Sequence, residues 1–360
     1  MYHGMATPPP GALLTRPPPR PQRRPGPAPA TLGPPRPPRL GAWLWTCRAG
    51  FETHLHEELA RGRAVPEVLG TGFVASAQRP KVEPAFARTG FLVRARAEGP
   101  VEAAAEVLAE RVARAGPLTL RAWSADTEEG MKLGQEARAL EVALLGAPGV
   151  QHRDDGVVPF GEVALLGAPG AWTAVFGTLA RDEALSWSPA GRQRMHRGKG
   201  LPSRAGLKLE EAWATLGLWP SPGETCVDLG AAPGGWTARA LHRGARVVAV
   251  DRAALAPEVA RHPRLRQVRQ SAFAYAPEEP VDWLLCDMAW RPLEVAALLA
   301  RWGREGWALH LVANLKLPMR DKVETLARAR RLLEEGGWKA ARFRQLYHDR
   351  DEVTVVARTR

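Results

Sequence analysis

Two lysines and two carboxylates stand at places where a parallel sheet would bring them together. Asp287 and Lys316 each follow an apolar run typical of a central strand, Glu352 begins the last such run, and Lys208 lies in a predicted helix. The carboxyl ends of parallel strands meet at one edge of a sheet, so these side chains are expected to meet there. One such residue alone is usually a salt-bridge partner, whereas all four together favour a catalytic cluster.

This set of residue types suits the removal of a proton from a weak oxygen nucleophile such as a ribose 2′-hydroxyl. A lysine amine accepts a proton only in its neutral form, which burial and a second nearby cation favour. We therefore predict Lys316 as the general base, with Lys208 disfavouring its charged form and orienting the hydroxyl. Asp287 and Glu352 would hold the two amines in register.

A glycine-rich turn lies beside this cluster in the predicted sheet. The segment Asp228-Leu-Gly-Ala-Ala-Pro-Gly-Gly-Trp236 indicates a buried strand that turns sharply into a helix, and Pro233 suits the first helical turn. Asp251 follows the next apolar strand, where an acidic residue commonly accepts hydrogen bonds from ribose hydroxyls. The segment predicts a nucleotide-binding turn, and a glycine-rich turn without a ligand is the alternative.

The G-x-x-P-G-G spacing resembles motif I of S-adenosylmethionine-dependent RNA ribose methyltransferases, and the chain from residue 40 resembles bacterial large-subunit ribosomal RNA cytidine 2′-O-ribose methyltransferases of the RlmM family. The segments that carry this resemblance are Pro202-Ser-Arg-Ala-Gly-Leu-Lys-Leu-Glu-Glu211, Val227-Asp-Leu-Gly-Ala-Ala-Pro-Gly-Gly-Trp-Thr237, Cys286-Asp-Met288, Asn314-Leu-Lys-Leu-Pro-Met319 and Gln345-Leu-Tyr-His-Asp-Arg-Asp-Glu-Val-Thr-Val355. Cys47-Arg-Ala-Gly-Phe-Glu52 and Ala125-Asp-Thr-Glu128 resemble it less distinctively.

The resemblance implies an α/β protein whose C-terminal Rossmann-like S-adenosylmethionine-dependent methyltransferase domain follows ferredoxin-like and THUMP α/β domains. It implies S-adenosylmethionine as the cofactor, a cytidine ribose of large-subunit (23S) rRNA as the substrate, and a K-D-K-E tetrad of the four residues above. The cofactor-binding residues it implies are Gly230, Ala231, Ala232, Pro233, Gly234, Gly235, Trp236, Asp251, Ser271 and Asp287. Two positions depart from the family: Ala205 replaces a usual serine, and Ser271 replaces an aspartate that commonly meets the adenine.

Composition and element patterns divide the chain into a disordered Pro/Arg-rich tail (1–39), two small α/β units (40–117 and 118–186), a basic linker (187–204) and an alternating β-α part (205–360). The resemblance implies that the three folded parts are a ferredoxin-like domain, a THUMP-like RNA-binding domain and a Rossmann-like methyltransferase domain, in that order. Residues 1–40 contain fourteen prolines and six arginines, a composition that offers no core. Three interpretations of this tail remain open: an RNA-tethering arm, a solvated tail without function, or an upstream extension that is not normally translated.

An identical nonapeptide, Glu-Val-Ala-Leu-Leu-Gly-Ala-Pro-Gly, occurs at residues 141–149 and 162–170. A repeat normally implies repeated structure. Here the first copy ends a long helical pattern, whereas the second follows a turn and precedes another strand. We therefore predict a helix for the first copy and a strand for the second.

The charge of the chain favours a polyanionic partner. The net charge is +12, but half of it lies in residues 1–40, which leaves a moderately basic folded part. The predicted linker carries five basic residues for which RNA contact and simple solvation are both open: Arg192, Arg194, Arg197, Lys199 and Arg204. Large-subunit rRNA is the expected partner, and the protein is expected to be a cytoplasmic monomer.

Several other classes are disfavoured. Three widely spaced cysteines indicate buried thiols in a reducing compartment, and His54 and His56 would point to different faces of a helix, so no metal is expected. The longest apolar stretch, residues 163–180, is broken by Gly and Pro, so no membrane contact is expected. The thirteen tryptophans are expected in the core more than as base-stacking platforms.

Three functional rivals remain. A base methyltransferase would typically place N-P-P-Y after the fourth strand, where this chain has Asp287-Met-Ala-Trp290. A non-enzymatic RNA-binding assembly factor would be expected to lack some of the four charged residues. A ribose methyltransferase acting on another RNA shares every feature described so far.

Overall fold

The computed structural model of the protein describes residues 32–193, 195 and 205–359. Eight strands of its N-terminal half form one mixed sheet. They are β1 (Trp43–Cys47), β2 (Pro66–Gly70), β3 (Phe73–Ser76), β4 (Ala87–Glu98), β5 (Leu118–Ser124), β6 (Val150–Gln151), β7 (Phe160–Ala168) and β8 (Ala171–Leu179). The accompanying helices are α1 (Glu52–Arg61), α2 (Val101–Arg114), α3 (Glu128–Lys132) and α4 (Gly134–Leu144).

The strands lie in the order β2-β3-β1-β4-β8-β7-β5-β6. Neighbours are antiparallel except where β5 pairs with β6 and β7. The units predicted for residues 40–117 and 118–186 are therefore parts of one continuous sheet, joined where β4 pairs with β8.

Two predicted elements of this half are wrong in detail. The residue pattern of 67–77 predicts a single strand, but the segment forms the hairpin of β2 and β3, because Gly70 and Gly72 adopt φ angles of 153° and 80° and turn the chain. The helical pattern of 131–145 predicts a single helix, but the structure has the pair α3 and α4, separated at Leu133.

The repeated nonapeptide folds as predicted. The first copy starts in α4 and ends in the turn that follows it, whereas the second lies largely in β7 and ends in the turn before β8. The same side chains are thus accommodated by two conformations, and tertiary contacts decide between them.

The predicted disordered tail extends too far. Residues 32–38 lie against the sheet: Arg36 N donates to the Leu69 carbonyl over 3.1 Å, and the Thr71 hydroxyl donates to the Leu32 carbonyl over 2.6 Å. Arg96 also donates to the Pro38 carbonyl over 3.1 Å. Residues 1–31 lie outside the described residues.

The C-terminal half is a seven-stranded sheet between helices. Its strands are β9 (Thr225–Leu229), β10 (Arg246–Val250), β11 (Leu265–Val268), β12 (Val281–Cys286), β13 (Ala308–Lys316), β14 (Lys339–Arg344) and β15 (Glu352–Arg358). Its helices are α5 (Ala205–Leu216), α6 (Gly235–His242), α7 (Pro257–Ala260), α8 (Pro292–Arg304) and α9 (Lys322–Glu335).

These strands lie in the order β11-β10-β9-β12-β13-β15-β14, parallel from β11 to β13, with β15 antiparallel to both β13 and β14. Alternate residues of β9 pack on opposite faces: Val227 against the cluster that includes α8 and α9, and Cys226 against the cluster that includes α5 and α6. The alternation of strand and helix patterns in this half predicts a mostly parallel sheet, which the strand order confirms.

The two halves share one apolar core. A single cluster of buried side chains joins Trp45, Phe51 and Phe86 of the N-terminal half to the residues of α8 and α9. A backbone hydrogen bond also joins the two halves, because Gln345 N donates to the Ala85 carbonyl over 2.7 Å.

Candidate active site

The glycine-rich turn leaves the carboxyl end of β9. Gly230 has a φ of 75°, and a Cβ at this position would lie 2.5 Å from Cγ of Met288. Gly234 has a φ of 110° and precedes α6, where a Cβ would contact Val259 at 3.2 Å. Both positions therefore favour glycine through backbone conformation and close approach. The helix begins at Gly235, so the prediction that Pro233 occupies its first turn is wrong.

Asp251 braces this turn from the end of β10. Its carboxylate accepts hydrogen bonds from Ala232 N over 3.1 Å and from Ala253 N over 2.8 Å. Since a carboxylate offers about four acceptor positions, two remain for a ligand hydroxyl.

A cleft of about 450 Å³ opens beside the turn. The predicted cofactor residues that line it are Gly230, Ala232, Asp251, Ser271 and Asp287. Ala231 and Trp236 are instead buried in the apolar core, where Trp236 Nε1 donates to the Ala205 carbonyl over 2.9 Å. Pro233, Gly234 and Gly235 form the turn itself and do not line the cleft.

The sequence reasoning missed the aromatic wall of this cleft. Phe273 and Trp290 both line it, with ring centroids 5.7 Å apart. The indole of Trp290 is half-exposed and donates to Glu294 over 2.6 Å. The signal was available, because Trp290 lies three residues after Asp287 and Phe273 two residues after Ser271.

A buried carboxyl lies beneath the turn. Asp228 is 1% exposed, and its Oδ2 accepts a hydrogen bond from the Thr237 hydroxyl over 2.6 Å. Burial raises the pKa of Asp228 to about 7, and the nearby Asp287 and Asp251 carboxylates add to the effect.

Strand register brings the four charged residues of the predicted cluster together. In the antiparallel pair of β13 and β15, Lys316 faces Glu352 and Asn314 faces Thr354. Side chains two residues apart on a strand share a face, so all four point to one side of the sheet. Asp287 follows the neighbouring β12 and accepts a hydrogen bond from the Lys316 ammonium.

Lys208 completes the cluster from α5, where its ammonium pairs with Glu352. Burial, and then the nearby Lys316 ammonium, lower the pKa of Lys208 from its ordinary value. The side chains of Lys208 and Glu352 are 14% and 12% exposed, whereas that of Lys316 is 29% exposed. The cluster is thus two adjoining ion pairs, of which the Lys316–Asp287 pair is the more open to solvent.

Comparison with known proteins bears on this site. Residues 201–302 match the family model of FtsJ-like methyltransferases. A ribosomal RNA large subunit methyltransferase M from Alkalilimnicola ehrlichii is 36% identical over 88% of this chain and 94% of its own length. The protein of the same name from Azotobacter vinelandii is 35% identical over 86% of this chain and 95% of its own length.

The chain belongs to the family of ribosomal RNA large subunit methyltransferases M. The identity is higher over a shorter part of the chain. A family member from Halorhodospira halophila is 46% identical over 47% of this chain, and the chain spans about half (51%) of that relative's length. The Rossmann-like methyltransferase fold expected for residues 205–360 follows from the FtsJ-like match and the sheet order.

Most of the predicted RNA-binding residues of this family member fall outside the described residues. They are Arg194, Arg197, Lys199 and Arg204. Arg192 lines a groove of about 370 Å³ with residues of β5 and α4, on the N-terminal sheet.

The described part of the chain contains neither a metal cluster nor a membrane helix. It holds no group of three or more His, Cys, Asp or Glu side chains that could bind a metal ion. His54 packs against the rings of Phe51 and Phe86, and the three cysteines are free and buried. Among the described residues, no helix is long and apolar enough to cross a bilayer.

Proposed function

We propose that this chain transfers a methyl group from S-adenosylmethionine to the 2′-hydroxyl of a cytidine ribose in large-subunit rRNA. The observation that carries the proposal is the meeting of two lysine–carboxylate pairs at the carboxyl end of the sheet, beside the cleft. The family to which the chain belongs supports rRNA as the substrate.

The residues that line the cleft fit S-adenosylmethionine. Asp251 offers free acceptor positions to a ribose diol, and Phe273 with Trp290 offers an apolar wall to an adenine. Asp287 offers negative charge to the sulfonium. When bound, S-adenosylmethionine supplies an activated methyl group. A side chain at Gly230 would collide with Met288, so the turn keeps its close backbone path only with glycine.

In this proposal Lys316 takes the proton that the ribose hydroxyl loses. Its amine is held by Asp287 and lies near the Lys208 ammonium, whose pKa is lowered by burial and by Lys316. Glu352 neutralises Lys208 and keeps the cluster from excess positive charge. Orientation of the hydroxyl contributes to the rate along with the base itself.

The N-terminal sheet is proposed to select and hold the RNA, as its ferredoxin-like and THUMP-like assignment implies. RNA recognition combines shape with backbone contacts over a large surface. The residues proposed to bind phosphates are Arg192, Arg194, Arg197, Lys199 and Arg204. Replacing the first four with glutamine should flatten the dependence of log affinity on log salt by about 0.7 to 0.9 for each phosphate that the protein no longer neutralises.

The direct test incubates the protein with labelled S-adenosylmethionine and unmodified large-subunit rRNA, followed by mapping of 2′-O-methyl groups. One modified cytidine is expected with the native chain and none with Lys316→Ala. Transfer to a base would favour a base methyltransferase, and transfer to tRNA in a parallel reaction would favour another RNA substrate. Binding of rRNA without any transfer would favour an assembly factor.

A further inference from the structure

A chain of buried hydrogen bonds leads from the Lys316–Asp287 pair into the sheet. Asn314 Nδ2 donates to Asp287 Oδ1 over 3.2 Å. The Thr354 hydroxyl lies 2.6 Å from Asn314 Oδ1 and 2.9 Å from Asp349 Oδ2. Asn314, Thr354 and Asp349 are at most 1% exposed, so water does not compete for these bonds.

The number of hydrogens in this chain fixes the direction of each bond. Because the amide nitrogen of Asn314 faces Asp287, its Oδ1 faces Thr354 and can only accept. The single hydroxyl hydrogen of Thr354 is therefore used on Asn314. The contact between Thr354 and Asp349 then needs a hydrogen from Asp349, which a neutral carboxylic acid has and a carboxylate lacks.

The surroundings of Asp349 favour that neutral form. Burial raises the pKa of Asp349 to about 7, against the opposing effect of Lys208. Oδ1 of Asp349 has no hydrogen-bond partner among the described residues, which would be costly for a carboxylate. Leu346 N donates to Oδ2 over 3.0 Å, and a protonated oxygen can still accept that bond.

The titratable groups around Asp349 in the described part of the chain come from both halves of the molecule. They are Lys208 and Glu211 of α5, His348 beside it, Arg48 after β1, and the Lys316–Asp287 pair beyond Asn314. Glu211 is occupied by His348 Nδ1 at 2.6 Å and by the backbone of Tyr347 and His348. Arg48 donates to the backbone carbonyl of Asp349 over 3.1 Å and so fixes its loop from the N-terminal half.

We propose that Asn314, Thr354 and Asp349 are positioning residues for methyl transfer, with Asp349 taking part as a neutral acid, and that together they orient the Asp287 carboxylate that holds the Lys316 amine. This inference rests on the proposed function. Asp287 Oδ1 is shared between Asn314 and Lys316, so a rotation of that carboxylate would move the amine away from the substrate hydroxyl.

The proposal has a pH signature. Ionisation of Asp349 removes the hydrogen that reaches Thr354, so kcat should fall as the pH rises above about 7. An amide at position 349 keeps a donor and does not titrate. Asp349→Asn should therefore rescue kcat relative to Asp349→Ala and also abolish the fall at high pH.

The decisive variants are Thr354→Val, Thr354→Ser and a matched control, Thr119→Val. Thr119 is also a buried strand threonine, but its hydroxyl has no partner within the described ranges. In the full chain, Thr354→Val should lower kcat by about 10- to 100-fold while the dissociation constant of S-adenosylmethionine stays within about tenfold of native, and Thr354→Ser should restore most of kcat. Thr119→Val should keep the native kcat and pH profile.

A carbon-13 NMR titration of aspartate carboxyls gives a readout that needs no activity. Two carboxyls, those of Asp228 and Asp349, should titrate near pH 7, and one of the two signals should vanish in Asp349→Asn. Native kcat and pH profile in Thr354→Val would overturn the proposal, as would an Asp349→Asn variant as inactive as Asp349→Ala. A native protein that never methylates rRNA would instead overturn the proposed function, while the titration would still test the neutral acid.

Discussion

Each half of the molecule contains an ion pair between side chains of neighbouring strands or at their ends. The two pairs differ in their access to a cleft and in the chemistry of their cation. In the N-terminal sheet, Arg121 of β5 pairs with its register partner Glu162 of β7. Glu162 is fully buried and also accepts from Trp123 Nε1 over 2.5 Å, while the Arg121 guanidinium lies 3.6 Å from the ring centroid of Phe160. This pair is enclosed on all these sides.

The Lys316–Asp287 pair differs in two respects. It borders a cleft, and its cation can release a proton, whereas an arginine stays charged at any pH a protein survives. A buried ion pair is therefore weak evidence for chemistry. The Lys316–Asp287 pair differs from the Arg121–Glu162 pair because a ligand can reach it and because its cation can become neutral.

We call the Lys316–Asp287 pair the open pair and the Arg121–Glu162 pair the closed pair. The largest expected effect comes from replacing the lysine of the open pair with arginine, the cation of the closed pair. Lys316→Arg retains a positive charge beside Asp287 but removes the amine that accepts a proton. We expect kcat to fall by about 10²- to 10⁴-fold, with the dissociation constant of S-adenosylmethionine within about tenfold of native. Methylation kinetics and calorimetric binding measure the two quantities. Near-native turnover by this variant would remove Lys316 from the role of base.

The closed pair should matter for stability alone. Glu162→Gln leaves the Arg121 charge buried without a counterion, and breaking such a pair costs about 3–5 kcal/mol in the free energy of unfolding. The repeat provides a matched control, since Glu141→Gln alters the same residue of the other copy, where the side chain is only half-buried, and should cost about 1 kcal/mol or less. Denaturant unfolding measures both. Equal losses in the two variants would contradict the contrast.

Only the open region should respond to a ligand. Asp251→Asn loses an acceptor that holds Ala232 and faces the cleft, so the dissociation constant of S-adenosylmethionine should rise by about 10- to 100-fold. Calorimetry on Glu162→Gln, at a temperature where that variant is folded, should give the native constant. An unchanged constant in Asp251→Asn would argue that the cofactor binds elsewhere.

The smallest expected effect is a pH dependence of the free energy of unfolding that comes from Asp228, which lies beneath the glycine-rich turn. The folded pKa of Asp228 is raised to about 7, so its contribution to stability is fully present below its unfolded pKa and is lost as the pH rises through about 7. Asp228→Asn does not titrate. Relative to the native chain, its melting temperature should therefore improve by on the order of a few degrees between pH 5 and pH 8. A constant difference across that range would contradict the raised pKa.

The sequence predicted the open pair but was silent on the closed one. Lys316 and Asp287 end apolar runs, and strand ends are where parallel sheets place polar side chains, so their meeting could be inferred. Glu162 lies inside an apolar nonapeptide and Arg121 inside a short strand. Their partnership depends on the pairing of β5 with β7, which no local pattern encodes.

Long-range register also explains the other omissions. Asn314 and Thr354 belong to segments that carry the family resemblance, but only the antiparallel return of β15 sets them face to face. The cleft aromatics are an exception, because Trp290 and Phe273 lie close in sequence to the predicted cofactor residues Asp287 and Ser271 and could have been inferred from them. The strand ends at Asp287, Lys316 and Glu352 and the glycine-rich turn depend on local spacing and were predicted.

The junction between the halves determines how this protein could be recombined. Gln345 N donates a hydrogen bond to the Ala85 carbonyl, and the Arg48 guanidinium donates one to the Asp349 carbonyl. Residues of α1 and α9 also belong to the same apolar cluster. A chimera that joins the C-terminal sheet to a foreign N-terminal module at the sequence boundary near residue 205 would expose that cluster and release the loop that holds Asp349. A transplant that carries residues 43–87 along with the C-terminal half would keep both the cluster and the loop intact. The part of the molecule that must be moved as one piece is therefore larger than the part that carries the four charged residues.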